Sequence, residues 1–330
     1  MKTLGGVTMQ TEETKMVTIL TPSYNRVNCL PKLYQSLKAQ DNRQFIWLIV
    51  DDGSTDQTAE LVQGWMDENV FEIQYIKQQN GGKHTALNRG IQGIRTPMTF
   101  IVDSDDWLME QAVSIICKYY HKYISYEEIH AKKICGFSFL RVYSSGNVNT
   151  GYFPEEEKVD TFLQQRINNG LGGDKAEVFY TDILKQYSFE VFPQEKFMPE
   201  DAVWIRMSGP YLMVHANETI YVCDYLEGGL TKTGREMKIY SPYGMMYRSA
   251  AYLADTRIIL RVRLKMLLLY EIYEHFAEDR DREYRRSKAL VKIMREKCLI
   301  RKNLSYVLLW LPGLLIYRIW NEKYRKAKRA

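Results

Sequence analysis

Long apolar stretches, paired cysteines and histidine clusters are all missing from this chain. Its 330 residues include five Cys (Cys29, Cys117, Cys135, Cys223, Cys298), scattered and without a C-x-x-C pair. Neither a disulfide framework nor a zinc site is compatible with that spacing, and a reducing compartment is expected. The five His show no ligand spacing. Residues 1–15 are polar and lack the apolar stretch of a secretory signal, which predicts a flexible N-terminus and a cytoplasmic protein. The apolar run Leu304 to Trp320 is interrupted at Pro312-Gly313, and it falls short of the ~20 residues that span a bilayer. No recognised nucleic-acid module accompanies the Arg-rich stretch 257–301, so no nucleic-acid partner is expected.

What is present describes a globular protein: 45% hydrophobic and 26% charged residues, with a net charge of +5. The excess of Lys and Arg falls in the last third, which predicts a basic surface at one end. The length allows one large or two ordinary domains.

The first hundred residues alternate two patterns. Apolar, β-branched runs (Met16 to Leu20, Phe45 to Val50, Phe71 to Ile76, Met98 to Val102) read as strands, and helical spacing follows in Cys29 to Leu37, Thr58 to Met66 and the stretch through Ala86, Leu87, Gly90 and Ile91. Such alternation predicts an α/β fold with a doubly wound, mostly parallel sheet, whose loops converge on one edge. Further on, a helix over Met109 to Tyr123 and a strand over Ile134 to Tyr143 are predicted. Loops and short pieces follow over 144–175, then a strand or helix start from Ala176, a helix near Ala202 capped by acids, and paired strands over Leu212 to Tyr225. A break is expected over 226–241 and a helical, basic stretch from Pro242 to about Lys302.

Chemistry-bearing residues sit where the strands end. Thr21-Pro22-Ser23-Tyr24-Asn25-Arg26 follows the first, Asp51-Asp52-Gly53-Ser54 the second, Gln79-Asn80-Gly81-Gly82-Lys83-His84 the third, and Asp103-Ser104-Asp105-Asp106 the fourth. Carboxylates this close repel one another unless a cation or buried donors hold them, and Mg²⁺ or Mn²⁺ favours carboxylate oxygens while keeping positions open for phosphate. A competing reading makes Ser104 or Asp105 the cap of a helix from Leu108, and Asp-Gly-Ser an ordinary turn. A pocket holding Asp52, Lys83, Arg89 and the 103–106 acids suits a nucleoside diphosphate as leaving group, whose charge must be neutralised.

These four motifs, in order and spacing, resemble the family-2 inverting glycosyltransferases of the GT-A fold, closely over about residues 15 to 110 and loosely to about 230. The resemblance implies a Rossmann-like, mostly parallel sheet flanked by helices, with a helical, basic C-terminal extension. Residues 16–235 would form the catalytic domain (16–107 the nucleotide-binding half, 108–235 the acceptor half) and 236–330 the extension. Pro22, Tyr24 and Asp52 would line the base and ribose pocket with Asp51 beside it, and Asn25, Arg26, Gly82, Lys83, Arg89, Asp103 and Ser104 would contribute to the donor site. Asp103 and Asp105 would form the Asp-x-Asp element, with Asp105 or Asp106 on a Mn²⁺ or Mg²⁺ ion. In Pro199-Glu200-Asp201 the general base would be Asp201, with Glu200 the alternative and helix capping the competing role. The implied donor is a nucleotide-diphosphate sugar, a UDP-sugar first, and the acceptor a glycan or polyprenyl-diphosphate-linked glycan of a surface polysaccharide. Residues 304–330, aromatic and then basic, are a candidate membrane-surface segment, which would make the protein peripheral on the inner membrane face. The competing functions are a sugar nucleotidyltransferase, which wants a Gly- and Lys-rich loop after the first strand, and a catalytically inactive GT-A-like binding subunit.

Overall fold

The computed structural model of the chain describes residues 14–126, 133–224, 230–278 and 304–325. The flexible terminus expected over 1–15, most of the helical stretch expected over 279–302 and the basic residues Lys326, Lys328 and Arg329 lie largely or wholly outside these residues.

The expected alternation is present: β1 (Val17–Ser23), α1 (Leu30–Lys38), β2 (Phe45–Asp51), α2 (Thr58–Glu68), β3 (Ile73–Lys77), α3 (Lys83–Gly93) and β4 (Met98–Ile101). β1 and β2 are buried along nearly their whole length, which is why they read as continuous apolar runs rather than alternating ones. In α1, Leu30, Leu33, Tyr34 and Leu37 form the buried face and Pro31 occupies the first turn, where its missing N–H costs nothing. The second half contributes β5 (Trp107–Leu108), α4 (Ala112–Tyr123), β6 (Ile134–Val142), β7 (Glu157–Asp160), a π-helical turn (Leu163–Asn168), β8 (Ala176–Tyr180), α5 (Thr181–Leu184), α6 (Asp201–Met207) and β9 (Leu212–Val222). The C-terminal part is helical: α7 (Leu230–Ile239), α8 (Pro242–Ala254), α9 (Leu260–Glu278) and α10 (Leu304–Arg325).

One sheet runs through the molecule in the order β3-β2-β1-β4-β8-β6-β9-β5, with β7 also on β9. Its β3-β2-β1-β4 side is parallel. Beyond β4 the sheet is mixed: β8 is antiparallel to both β4 and β6, and β6 is parallel to β9. Several local expectations are corrected. Within the stretch expected as paired strands, Leu212–Val222 is one long strand rather than a pair. The expected break over 226–241 contains α7, and α10 continues through Pro312. No helix starts at Leu108: Trp107 and Leu108 pair instead with Val222 and Tyr221 of β9, which removes the capping role for Ser104 and Asp105. Apolar residues in a two-residue strand carry no periodicity, so only the partner strand reveals it.

The C-terminal helices are continuous with the core. Tyr243, Met246, Tyr247, Tyr270 and Phe276 share one apolar cluster with Leu87, Ile91, Phe179, Val203 and Trp204. The buried Glu195 accepts the backbone N–H groups of Tyr243 (2.9 Å) and Gly244 (2.8 Å), so a carboxylate sits on the positive end of α8. On the α3 side, Asn88 and the backbone of Phe189 exchange two hydrogen bonds of 2.8 Å. The long connection from α5 to α6 is thereby tied at both ends, which carries Glu200 and Asp201 to the carboxyl edge of β4. The expected boundary between the halves falls inside β5 and the expected start of the extension inside α7.

Candidate active site

The ends of β1 and β2 form a rigid rim. Asp51 is fully buried, and its carboxylate accepts the backbone N–H of Ser54 at 2.7 Å and the Tyr75 hydroxyl. Asp52 gathers the glycine loop: it accepts the backbone N–H groups of Gly81 (2.9 Å) and Gly82 (2.7 Å) and the side-chain amides of Gln78 (2.8 Å) and Asn80 (3.1 Å). Both carboxylates expected at the base and ribose are thus used inside the fold, where they shape the rim. Gly82 is likewise a framework position: its φ is +96°, and an added Cβ would lie 2.2 Å from the Lys196 carbonyl oxygen. Only glycine accepts that backbone conformation and that approach together. Pro22 is buried in β1, opposite Val50. Tyr24, 45% exposed, stands at the mouth. Asn25, at φ +52°, accepts the Thr55 N–H at 2.8 Å, and Arg26 lies beside it, its guanidinium 3.4 Å from the Tyr24 carbonyl oxygen.

At the end of β4 the acids meet cations from two other elements. Lys83, in the first turn of α3, places Nζ 2.5 Å from Asp103 and 2.6 Å from Glu200. Arg141, at the end of β6, lies 3.8 Å from Asp103 and 3.7 Å from Asp106, stacks 4.1 Å from the Tyr221 ring centre and donates to the Lys175 carbonyl at 2.8 Å. The Tyr221 hydroxyl donates to Asp106 at 2.7 Å and accepts the Asp103 N–H at 3.0 Å. Burial by itself would lower the Lys83 pKa, but Asp103 and Glu200 outweigh it and hold the ammonium charged. Burial would raise Asp103, yet Lys83 and then Arg141 keep it below the usual carboxylate range. Asp106 goes the other way, raised by burial and by the neighbouring Asp103. Ser104 is buried and Asp105 half-buried.

A narrow cleft opens over this cluster, lined by Lys83, Ile101, Asp103, Arg141, Glu177, Phe179, Glu200 and Trp204. Neither Glu200 nor Asp201 makes a capping hydrogen bond to α6, so the capping role falls away. Their surroundings differ. Glu200 faces the cleft through Lys83, whereas Asp201 is gripped by α8: the Arg248 guanidinium donates to both its oxygens at 2.6–2.8 Å, and the Tyr252 hydroxyl adds a bond of 2.7 Å. Burial opposes ionisation of Asp201, but Arg248 prevails and its pKa is lowered.

Arg89 does not join the cluster. It is exposed on α3, six positions from Lys83 and hence roughly 240° around the helix. Conversely, Arg141, Glu177, Trp204 and Tyr221 were not singled out from the sequence. They arrive from β6, β8, α6 and β9, and no local spacing links them; an Arg in the strand Ile134–Val142 was the one visible signal.

Among the described residues no three His, Cys, Asp or Glu side chains converge as a ready metal cage. Mg²⁺ and Mn²⁺ in nucleotide sites need only one or two carboxylates besides the phosphates, and Asp103 with Asp105 is a donor set of that kind. Asp106, enclosed by Tyr221 and Arg141, is less suited.

Comparison with known proteins agrees with this architecture. The family model described as Glycosyl transferase family 2 matches residues 18–168. Glycosyltransferase GlyA of Streptococcus pneumoniae is 32% identical over 111 residues, which cover 34% of this chain and 15% of that protein. GlyG of the same species is 24% identical over 232 residues, covering 66% and 74%. The poly(ribitol-phosphate) beta-N-acetylglucosaminyltransferase TarS of Staphylococcus aureus is 24% identical over 188 residues, covering 56% and 31%. The matches span from 15% to 23% of the length of the first curated relatives. Among solved structures, S. aureus TarS 1–349 superposes with a TM-score of 0.58 at 16% identity, covering 94% of this chain and 92% of that one; TarS has also been solved with UDP-GlcNAc. A mannosyltransferase from Pyrobaculum calidifontis, solved with GDP-Man and Mn²⁺, gives 0.53 at 13% identity, covering 93% and 87%. At these identities the likeness shows the fold.

Proposed function

From a chain that carries a family-2 glycosyltransferase domain on a GT-A fold, we propose an inverting transfer of a sugar from a nucleotide-diphosphate donor to a hydroxyl of a glycan acceptor. One observation carries the reading: Lys83, Arg141, Asp103 and Glu200, from four separate elements, meet in one cleft at the carboxyl edge of β4. That edge is where open α/β sheets bind ligands, and the mixture of fixed cations and acids suits a leaving diphosphate.

In this reading Tyr24 and Arg26 flank the nucleoside at the mouth, while Asp51, Asp52 and Gly82 hold the rim in shape. Asp103 and Asp105 would hold Mg²⁺ or Mn²⁺, which supplies charge neutralisation to the departing nucleoside diphosphate. Lys83 exchanges Asp103 and Glu200 for phosphate oxygens, and Arg141 stays beside the acids as a fixed positive charge. The acceptor oxygen forms its bond to the anomeric carbon as the bond to the diphosphate breaks on the opposite face, and the hydroxyl proton passes to a carboxylate of the Glu200–Asp201 pair. Glu200 is the available member in this conformation, since release of Lys83 leaves its carboxylate in the cleft. The family resemblance favours Asp201 instead, which would first have to shed Arg248.

A UDP-sugar is the first donor to try, by likeness to TarS, and GDP-mannose the second, by likeness to the mannosyltransferase. The acceptor we propose is a glycan or polyprenyl-diphosphate-linked glycan of a surface polysaccharide, reached from the cytoplasmic side of the membrane. A sugar nucleotidyltransferase fits less well, since Thr21-Pro22-Ser23-Tyr24-Asn25 is not the Gly- and Lys-rich loop that reaction needs. An inactive binding subunit would have no need of so complete a set of acids.

The test is a panel of nucleotide sugars with Mn²⁺ or Mg²⁺, read by thermal stabilisation and by metal-dependent donor hydrolysis. A ligand at a hundred times its Kd stabilises by about 2.7 kcal/mol, or a melting shift of about 4 °C. Asp105→Ala should remove the metal-dependent part of that shift. A panel without stabilisation or turnover, or an Asp105→Ala protein that behaves as wild type, defeats the proposal.

A further inference from the structure

The helix α10 is apolar on two opposite faces, and among the described residues one of them packs on the core while the other is exposed. Its inner face, with Leu309, Ile316, Tyr317, Trp320 and Tyr324, packs against the main apolar cluster. Gly313 marks a close crossing with α9, because a Cβ there would lie 2.8 Å from the Cβ of Glu271. Tyr273 meets the Trp320 ring at 6.2 Å, and the Arg235 guanidinium covers it at 4.9 Å. These contacts orient the helix, and its other side faces away from the described core.

That outward side carries Leu308, Leu311, Leu315 and Ile319, which are 69%, 56%, 52% and 63% exposed. Steps of three, four and four residues put them in one stripe along the helix, about 16 Å long at the α-helical rise. Four aliphatic side chains in a row facing water are unusual for a surface helix, whose outer side is ordinarily polar. The sequence of this segment is one-sided in charge: over residues 304–330, Arg318, Lys323, Arg325, Lys326, Lys328 and Arg329 stand against a single acid, Glu322. Of these, Arg318 and Lys323 are exposed on the helix itself.

We propose that the outward face of α10 is a membrane-docking surface for anionic lipid, on which the Leu308/Leu311/Leu315/Ile319 stripe enters the headgroup region and Arg318 and Lys323 meet lipid phosphates. Among the described residues no helix is long and apolar enough to cross a membrane, so the contact is with one leaflet. Aliphatic stripes flanked by Lys and Arg bind in this way through apolar burial plus attraction to anionic headgroups. A second copy of the chain fits the surface less well, because one stripe falls far short of the roughly 800 Å² per partner of a stable interface. The surface contains no residue assigned to the catalytic cleft, so the two readings stand or fall separately.

The experiment is flotation of the full chain with phosphatidylcholine vesicles, with and without phosphatidylglycerol, at low and high salt. The wild type should bind the anionic vesicles and release with salt. Leu311→Glu/Leu315→Glu should lose on the order of tenfold or more of that binding, since each leucine loses its apolar transfer energy, with unchanged melting temperature. Arg318→Glu/Lys323→Glu should lose the preference for anionic lipid. A wild type that stays with the unbound fraction overturns the proposal, as do variants that bind like it. So does a dimer in light scattering that Leu311→Glu/Leu315→Glu dissociates, because a second copy would then own the surface.

Discussion

Substituting Asp201 by Asn tests whether the α8 clamp is structural. Asp201 and Arg248 are 26% and 20% exposed as side chains, and three contacts of 2.6–2.8 Å from the guanidinium plus the Tyr252 hydroxyl hold the carboxylate. Removing one partner of a buried ion pair costs about 3–5 kcal/mol; residual solvent access and the amide's retained hydrogen bonding reduce this to about 2–3 kcal/mol. For a chain of this size that lowers the melting temperature by about 3–4 °C. Arg248→Met should cost a similar amount, and the double variant should cost less than the sum, which a double-mutant cycle by urea denaturation measures. Glu200→Gln breaks only a solvent-accessible pair with Lys83 and should leave stability within about 1 kcal/mol. Activity should split the opposite way: with rates corrected for folded fraction, Glu200→Gln loses about 10²–10⁴-fold as the general base, and Asp201→Asn much less. Undiminished stability in Asp201→Asn would refute the clamp. An inactive Asp201→Asn beside an active Glu200→Gln would return the base to Asp201 and mean that Arg248 withdraws during turnover.

Three further outcomes follow from the geometry. Gly82→Ala should destabilise by about 2–4 kcal/mol, from positive φ plus the clash with the Lys196 carbonyl, and calorimetry at wild-type stability would contradict the packing described. Arg141→Leu, which removes the cation between Asp103 and Asp106, should weaken binding of UDP or GDP by about 10–100-fold; isothermal titration giving unchanged affinity argues against its donor role. His84 and His215 are held neutral by burial, their pKa values lowered to about 4 and about 3, so the unfolded state binds more protons below the ordinary value. Their stabilisation is complete above about pH 6.5 and is lost as pH falls toward 4, at up to about 1.4 kcal/mol per pH unit for each. His215→Leu should flatten the fall in denaturation midpoint between pH 6.5 and 4.5, and a slope equal to wild type would count against it.

Much of the first hundred residues was legible because each unit there is local. A run such as Phe45–Asp51 announces a buried strand by composition, and its acids must follow at the strand's end, so the rim motifs could be located before any contact was known. The mixed half of the sheet was harder. Trp107–Leu108 is too short for periodicity, the antiparallel direction of β8 depends on its partners, and the register irregularities between β6 and β9 leave no mark in composition. The site shows the same division. Lys83 and Asp103 were anticipated as neighbours, but the framework contacts of Asp52 and Gly82 were not, because a strand-end acid and a loop glycine read alike whether they face a ligand or the fold's own backbone.

By itself, then, the sequence determined the strand-helix alternation, the acidic end of β4 and the convergence of four loops on one edge, because backbone geometry and residue periodicity act over a few positions. Only the tertiary structure decided that Arg141 and Tyr221 complete the acidic cluster, that Arg248 holds Asp201 while Glu200 faces the cleft, and which side of α10 remains uncovered. Those outcomes depend on which distant elements pack together, and packing is a property of the whole chain rather than of any window within it.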